Sequence, residues 1–130
     1  MSRTRPLPTD AELQVLRVLW SRGPSTVRQV HEELYADGGT GYTTSLKLMQ
    51  NLHAKGLVVR DETGRQHIFR ATEPEATTVQ GVVRQLIDRS FEGSAASLAM
   101  HALGAKRATP EELRRLRALI DDLEAEDRQK

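Results

Sequence analysis

Residues 41–70 read GYTTSLKLMQNLHAKGLVVRDETGRQHIFR, and the hydrophobic period of this run changes once, at Gly56. Before the glycine, Ser45, Leu48, Met49 and Leu52 fall at i, i+3, i+4 and i+7, which turns one narrow stripe of a helix toward a core. Thr43 is placed to cap this helix, and Gly56 to end it in the left-handed conformation. The rest of the helix surface carries Thr43, Thr44, Lys47, Gln50, Asn51 and Ala54, a set of hydroxyls, amides and one ammonium without a carboxylate. After the glycine the period becomes two. Leu57-Val58-Val59-Arg60, a turn at Glu62-Thr63-Gly64, and Arg65 to Arg70 read as a hairpin.

A surface helix ordinarily mixes carboxylates with amines. A face of hydroxyls and amides lacking carboxylates suits a surface that is itself negative and rich in hydrogen-bonding groups, as the DNA major groove is. A helix followed by a two-stranded ribbon with Arg65 near its tip is the winged helix-turn-helix plan. On that plan Lys47, Lys55, Arg60 and Arg65 meet phosphates. Thr44, Lys47, Gln50 and Asn51 read base edges, an amide pairing with adenine and a lysine donating to guanine.

Upstream, the lead of residues 1–8 carries Arg3 and Arg5, a basic arm of the kind that lies along DNA. Thr9-Asp10-Ala11-Glu12 is a capping box, and the helix it opens turns Leu13, Leu16, Val18, Leu19 and Trp20 inward before Gly23-Pro24 stops it. Ser25 is read as the cap of a second helix from Thr26 to Ala36, with Val27, Val30 and Leu34 inward. Asp37 to Gly41 is a glycine-rich connector. Connections this short force neighbours in sequence to pack as neighbours in space.

Downstream of Glu73-Pro74 every segment reads as helix. Val79, Val82, Val83, Leu86, Ile87 and Phe91 stripe one, Gly93-Ser94 breaks it, and Ala95 to Leu103 form a helix of small residues that ends near Gly104. Thr109-Pro110-Glu111-Glu112 opens the last helix with a capping box and a proline at its first position. Its seam of Leu113, Leu116, Ile120 and Leu123 has little core of its own chain to enter. Together with Val83, Leu86 and Ile87 it is read as a dimerisation surface. The expected architecture is therefore mainly α with a small β-hairpin. Residues 1–72 form a winged-helix DNA-binding domain and residues 73–130 an all-helical dimerisation domain.

Composition narrows the function classes. With 130 residues, 38% hydrophobic and 4% aromatic, the chain suits one small domain with an oligomerisation appendage. Residues 1–72 hold ten Lys and Arg against seven Asp and Glu, net +3, while the rest hold nine against eleven, net −2. A basic first half and an acidic second half fit a DNA-binding module joined to something else. The chain has no cysteine, which excludes disulfides and thiolate metal sites. No apolar run spans a membrane and no signal sequence follows Met1, so the expected location is the cytoplasm. His31-Glu32-Glu33-Leu34-Tyr35 has tyrosine where a zinc-protease helix has its second histidine, and His31, His53 and His101 read as exposed, with His67 in the hairpin packing layer. With no nucleophile–base pair and no carboxylate dyad brought together, neither catalysis, nor a metal, nor a cofactor is expected.

LPTDAELQVLRVLW, TVRQVHEEL, GYTTSLKLMQNLHAKGLVVR, GRQHIF and TPEELRRLRALIDDL together resemble the penicillinase-repressor (BlaI/MecI/CopY) family. These are bacterial dimeric winged-helix repressors of resistance and copper-homeostasis operons. The resemblance implies that Thr43, Thr44, Lys47, Gln50 and Asn51 face the groove, that Arg65 sits on the wing, and that residues from about 74 onward dimerise. It implies a palindromic double-stranded operator and, in proteolytically inactivated members, a membrane-bound sensor protease. Copper-responsive members carry a cysteine cluster that this chain lacks. The place of the Asn-Phe bond of cleaved members is taken here by His101-Ala102, and Asn51 stands where many members have arginine. Two rivals remain beside a homodimeric repressor: a winged-helix module that binds protein through its third helix, and a repressor with a small-molecule pocket between its domains.

Overall fold

Local capping chemistry sets where the helices start. A computed structural model describes residues 6–129, so the expected arm residues Arg3 and Arg5 lie outside the described residues. The elements are α1 (Asp10–Arg22), α2 (Val27–Leu34), α3 (Tyr42–Ala54), β1 (Val58–Asp61), β2 (Ile68–Ala71), α4 (Glu75–Ser90), α5 (Ala95–Ala105) and α6 (Pro110–Arg128). The capping boxes at Thr9/Glu12 and Thr109/Glu112 form as expected, each hydroxyl accepting the N–H three residues on and each carboxylate accepting the cap's own N–H.

Two cap assignments are corrected. The second helix is capped by Thr26, not Ser25: the Thr26 N–H donates to Gln29 Oε1 at 2.9 Å and the Gln29 N–H to Thr26 Oγ1 at 3.1 Å. Ser25 is buried and held extended, exchanging backbone hydrogen bonds of 2.9 and 2.8 Å with Phe69, so it joins the hairpin as a single-residue third strand. The third helix starts two residues earlier than a cap at Thr43 would place it. Gly41 is its N-cap and makes no side-chain hydrogen bond, so the Thr43 hydroxyl stays on the exposed face.

The end of α3 follows the sequence. Gly56 has φ +78°, the Gly56 N–H donates to the His53 carbonyl, and the Leu57 N–H reaches the Leu52 carbonyl. This is a Schellman ending, and it swings the chain directly into β1. β1 and β2 pair antiparallel with Arg60 opposite Phe69 and Asp61 opposite Ile68. The second strand thus begins at Ile68 rather than Arg65, which leaves Arg65, Gln66 and an exposed His67 in the wing loop instead of a packing layer.

The chain packs as two compact units that divide between Gln85 and Leu86, inside α4. In the first, Val15, Leu16, Val18 and Leu19 of α1 meet Val27 and Val30 of α2, Met49 and Leu52 of α3, and Leu57, Val58 and Phe69 of the hairpin. Trp20 packs against this core half-buried, and its indole N–H donates to the Glu73 carbonyl at 2.9 Å. The order, the shared core and the hairpin make this unit a winged helix-turn-helix. The second unit is all helical, and α5 continues through Gly104 to Ala105, past the expected break. Neither α5 nor α6 has a buried residue.

Candidate nucleic-acid interface

At 100° per residue, Gln50, Thr43, Lys47 and Asn51 fall within an arc of about 100° on α3, opposite the buried Ser45, Met49 and Leu52. All four are exposed, as is Thr44 at the edge of the arc. The first turn of α3 has no acidic side chain, so its dipole and its uncapped N–H groups present positive potential. The residues expected to face DNA therefore share one polar, carboxylate-free surface of α3.

The wing carries the expected arginines in two different situations. Arg65 is exposed in the loop and has no carboxylate partner among the described residues. Arg60 donates from Nε to Glu62 Oε2 at 2.6 Å. That guanidinium holds the Glu62 carboxyl below its ordinary range, with His67 and His53 adding in the same direction. Asp61 folds the loop back: its Oδ1 accepts from the Thr63 N–H at 3.0 Å and from the Thr63 hydroxyl at 2.8 Å. Those two donors, the backbone one foremost, lower its pKa.

Lys55 is not a free phosphate contact. Its ammonium donates to Glu12 Oε1 at 2.5 Å and to the Leu7 carbonyl at 3.1 Å. Glu12 is 3% exposed. This ion pair joins the end of α3 to the start of α1 and engages the lysine with the fold, its side chain 25% exposed.

Sequence reasoning passed over Arg28 and Tyr42 and read His31 as exposed, and the fold brings all three to the same place. Arg28, in the first turn of α2, stands over the ring of Tyr42, the first residue of α3, at 5.6 Å. Tyr42 meets His31 edge-on with ring centroids 5.7 Å apart, and His31 Nδ1 lies 2.7 Å from the buried Ser45 hydroxyl. His31 is thus half-buried between α2 and α3 rather than exposed. The available signal was Arg28 itself, a cation in a helix's first turn, where the dipole disfavours it. Between α2, α3 and the wing lies a cleft of about 390 Å³ whose polar walls include Arg28, Gln50, Arg60 and Arg65.

In the second unit, Leu86 of α4 is 43% exposed, and Leu113, Ile120 and Leu123 of α6 are 40%, 54% and 51% exposed. Ile87 and Leu116 are half-buried. Val83, on the α4 segment belonging to the first unit, is exposed as well. His101 and Ala102 lie exposed within α5, the His101 Nδ1 2.9 Å from the Ser97 carbonyl. Among the described residues no cluster of acidic or histidine side chains could hold a metal ion, and no helix is long and apolar enough to cross a membrane.

A family model described as penicillinase repressor matches residues 8–122. The transcriptional regulator BlaI of Mycobacterium tuberculosis is 35% identical over 118 residues, covering 89% of this chain and 84% of that protein. The penicillinase repressor of Bacillus licheniformis is 22% identical over 117 residues, covering 90% and 91%. A solved structure described as the hsRosR-S4 complex superposes with a TM-score of 0.51 over 90% of each chain at 17% identity, a likeness of fold alone.

Proposed function

The chain belongs to the penicillinase repressor family, and from that premise we propose that it is a homodimeric transcriptional repressor of a palindromic operator. The observation that carries the reading is the carboxylate-free face of α3 set beside a wing whose Arg65 has no acidic partner among the described residues. Thr43, Thr44, Lys47, Gln50 and Asn51 enter the major groove, with Gln50, Asn51 and Lys47 reading base edges, and Arg65 lies on the flanking backbone. Residues 73–130 supply the dimer contact through the exposed apolar side chains of α4 and α6. Derepression follows from whatever separates the two copies, and a membrane sensor protease acting near His101-Ala102 is one such agent. Cleavage there first requires α5 to unwind locally, because a peptide bond inside a helix is not extended.

A two-fold dimer presents two copies of α3 to one face of the duplex, so the half-sites are centred about one helical turn apart, roughly 34 Å, or a small multiple of it. One half alone makes too few contacts to compete with bulk DNA. Binding to the protein's own upstream region, measured by gel shift against salt, should be sequence-selective and fall steeply as salt rises. Inserting five base pairs between the half-sites should cost nearly as much as deleting one of them. Selective binding that tolerates the insertion removes the rigid dimer. No selective binding removes the repressor reading and favours a protein-binding winged helix.

A further inference from the structure

We infer that the cleft between α2, α3 and the wing is a phosphate clamp for one strand of the duplex, with Arg28 as the jaw fixed on α2 and Arg65 as the jaw carried by the wing. The inference rests on the repressor reading and adds two residues to it, Arg28 and Tyr42.

Charge placement comes first. The first turn of α2 has no acidic residue and contains Arg28, so a cation stands where the helix already presents positive potential. Such a placement is unfavourable in the free protein and becomes favourable when an anion sits between guanidinium and helix end. Arg28 has no carboxylate within salt-bridge distance among the described residues, and neither does Arg65. The cleft wall adds the Gln50 amide and the Arg60 guanidinium, the latter paired with Glu62, and no Asp or Glu lines the cleft itself.

Pre-organisation comes second. A guanidinium on an exposed helix ordinarily samples many rotamers. Here the Tyr42 ring lies 5.6 Å beneath it, and the ring is itself held at its edge by His31, whose Nδ1 is 2.7 Å from Ser45 Oγ. Arg28 and His31 lie one turn apart on α2 and so address the same stretch of α3. The stack leaves the five donors of the guanidinium free to fork onto phosphate oxygens while limiting the entropy cost of binding. Tyr42 is accordingly a positioning residue. Because the clamp lies between the wing and the N-terminal ends of α2 and α3, it grips the backbone at the border of the groove that α3 enters.

Arg28→Gln tests the clamp. Each phosphate that is no longer neutralised lowers the slope of log K against log salt by about 0.9, so a dimer that gives up two should show a slope smaller by about 2. Affinity should fall by about the same factor on the upstream duplex and on random duplex, since phosphates carry no sequence. Arg28→Lys should restore the slope, because it restores the charge. Tyr42→Leu should weaken binding at a slope close to wild type, and Tyr42→Phe, which keeps the ring, should bind as wild type. An Arg28→Gln protein with unchanged thermal midpoint and unchanged slope overturns the clamp and leaves the repressor reading standing. A loss confined to the upstream sequence overturns it too, by making Arg28 a base reader. A wild type without salt-dependent DNA binding removes the repressor reading itself, and the clamp with it.

Discussion

Replacing Lys55 with methionine separates two accounts of the same residue. As a surface lysine at the end of a recognition helix, it would neutralise a phosphate, and its loss would weaken DNA binding without unfolding anything. In the structure its ammonium lies 2.5 Å from the carboxylate of Glu12, a residue only 3% exposed. Methionine keeps the apolar stem and removes the charge, leaving a buried carboxylate without its cation. Breaking a fully buried pair costs about 3–5 kcal/mol, and an exposed one about 0–1. Lys55 is 25% exposed, and Glu12 still accepts the Thr9 N–H at 2.9 Å, so the cost falls between these limits, at about 2 kcal/mol. With a urea dependence of about 1–3 kcal/mol per molar, the unfolding midpoint should drop by roughly 1 M. Trp20, the chain's one tryptophan, reports unfolding of this unit by fluorescence. Glu12→Gln combined with Lys55→Met removes the stranded charge and should recover more than half of the loss, while the salt slope of DNA binding stays at its wild-type value throughout. A midpoint that does not move, with a slope reduced by about 1 per half-site, would return Lys55 to the phosphate backbone and refute the ion-pair account.

Two further outcomes bear on the interface and the dimer. Gln50→Ala and Asn51→Ala should each cost about 1–3 kcal/mol on the best operator and alter the preferred base there, and an equal loss on random duplex would show that neither reads sequence. Ile120→Asp changes a side chain already 54% exposed in the single chain, so it should leave the protomer folded while sedimentation reports a monomer and operator affinity collapses; a wild type that is monomeric at micromolar concentration would contradict this.

The parts of the fold written in short-range chemistry were legible. Thr9 and Thr109 each have glutamate three residues on, and both capping boxes form. The glycine at 56 ends α3 as its position requires. The same spacing rule separates the caps that differ from expectation. Thr26 has Gln29 three residues on and forms a box, Ser25 has Arg28 and does not, and Thr43 has Leu46 and does not. What stayed hidden is long-range. The Lys55–Glu12 pair closes 43 residues, the Trp20–Glu73 hydrogen bond 53, and the Arg28–Tyr42 stack joins two helices across the connector. Periodicity says which side of a helix faces inward. It does not say which buried carboxylate will capture a lysine that reads as free, nor that an arginine on one helix will lie on a ring of the next.

The C-terminal unit carries the same logic to its consequence. A helix of 19 residues with no fully buried side chain is only partly covered by its own chain, and helix propensity alone leaves isolated helices near the margin in water. Leu119, Ile120 and Leu123 of α6 are each more than half exposed, and fully covering a side chain of this kind contributes about 1.5–3 kcal/mol. A second copy can supply that cover, and two-fold symmetry supplies every such contact twice. Stability of this unit is then linked to protomer concentration by mass action, because the partner acts as a ligand of the folded state. The same linkage runs to DNA. On the proposed reading, an operator that requires both recognition helices would favour the associated state, and anything that uncovers α6 would weaken operator binding without touching Gln50, Asn51 or Arg65. On the proposed dimer, the exposed apolar side chains of α6 would be the control point, and the polar face of α3 the address.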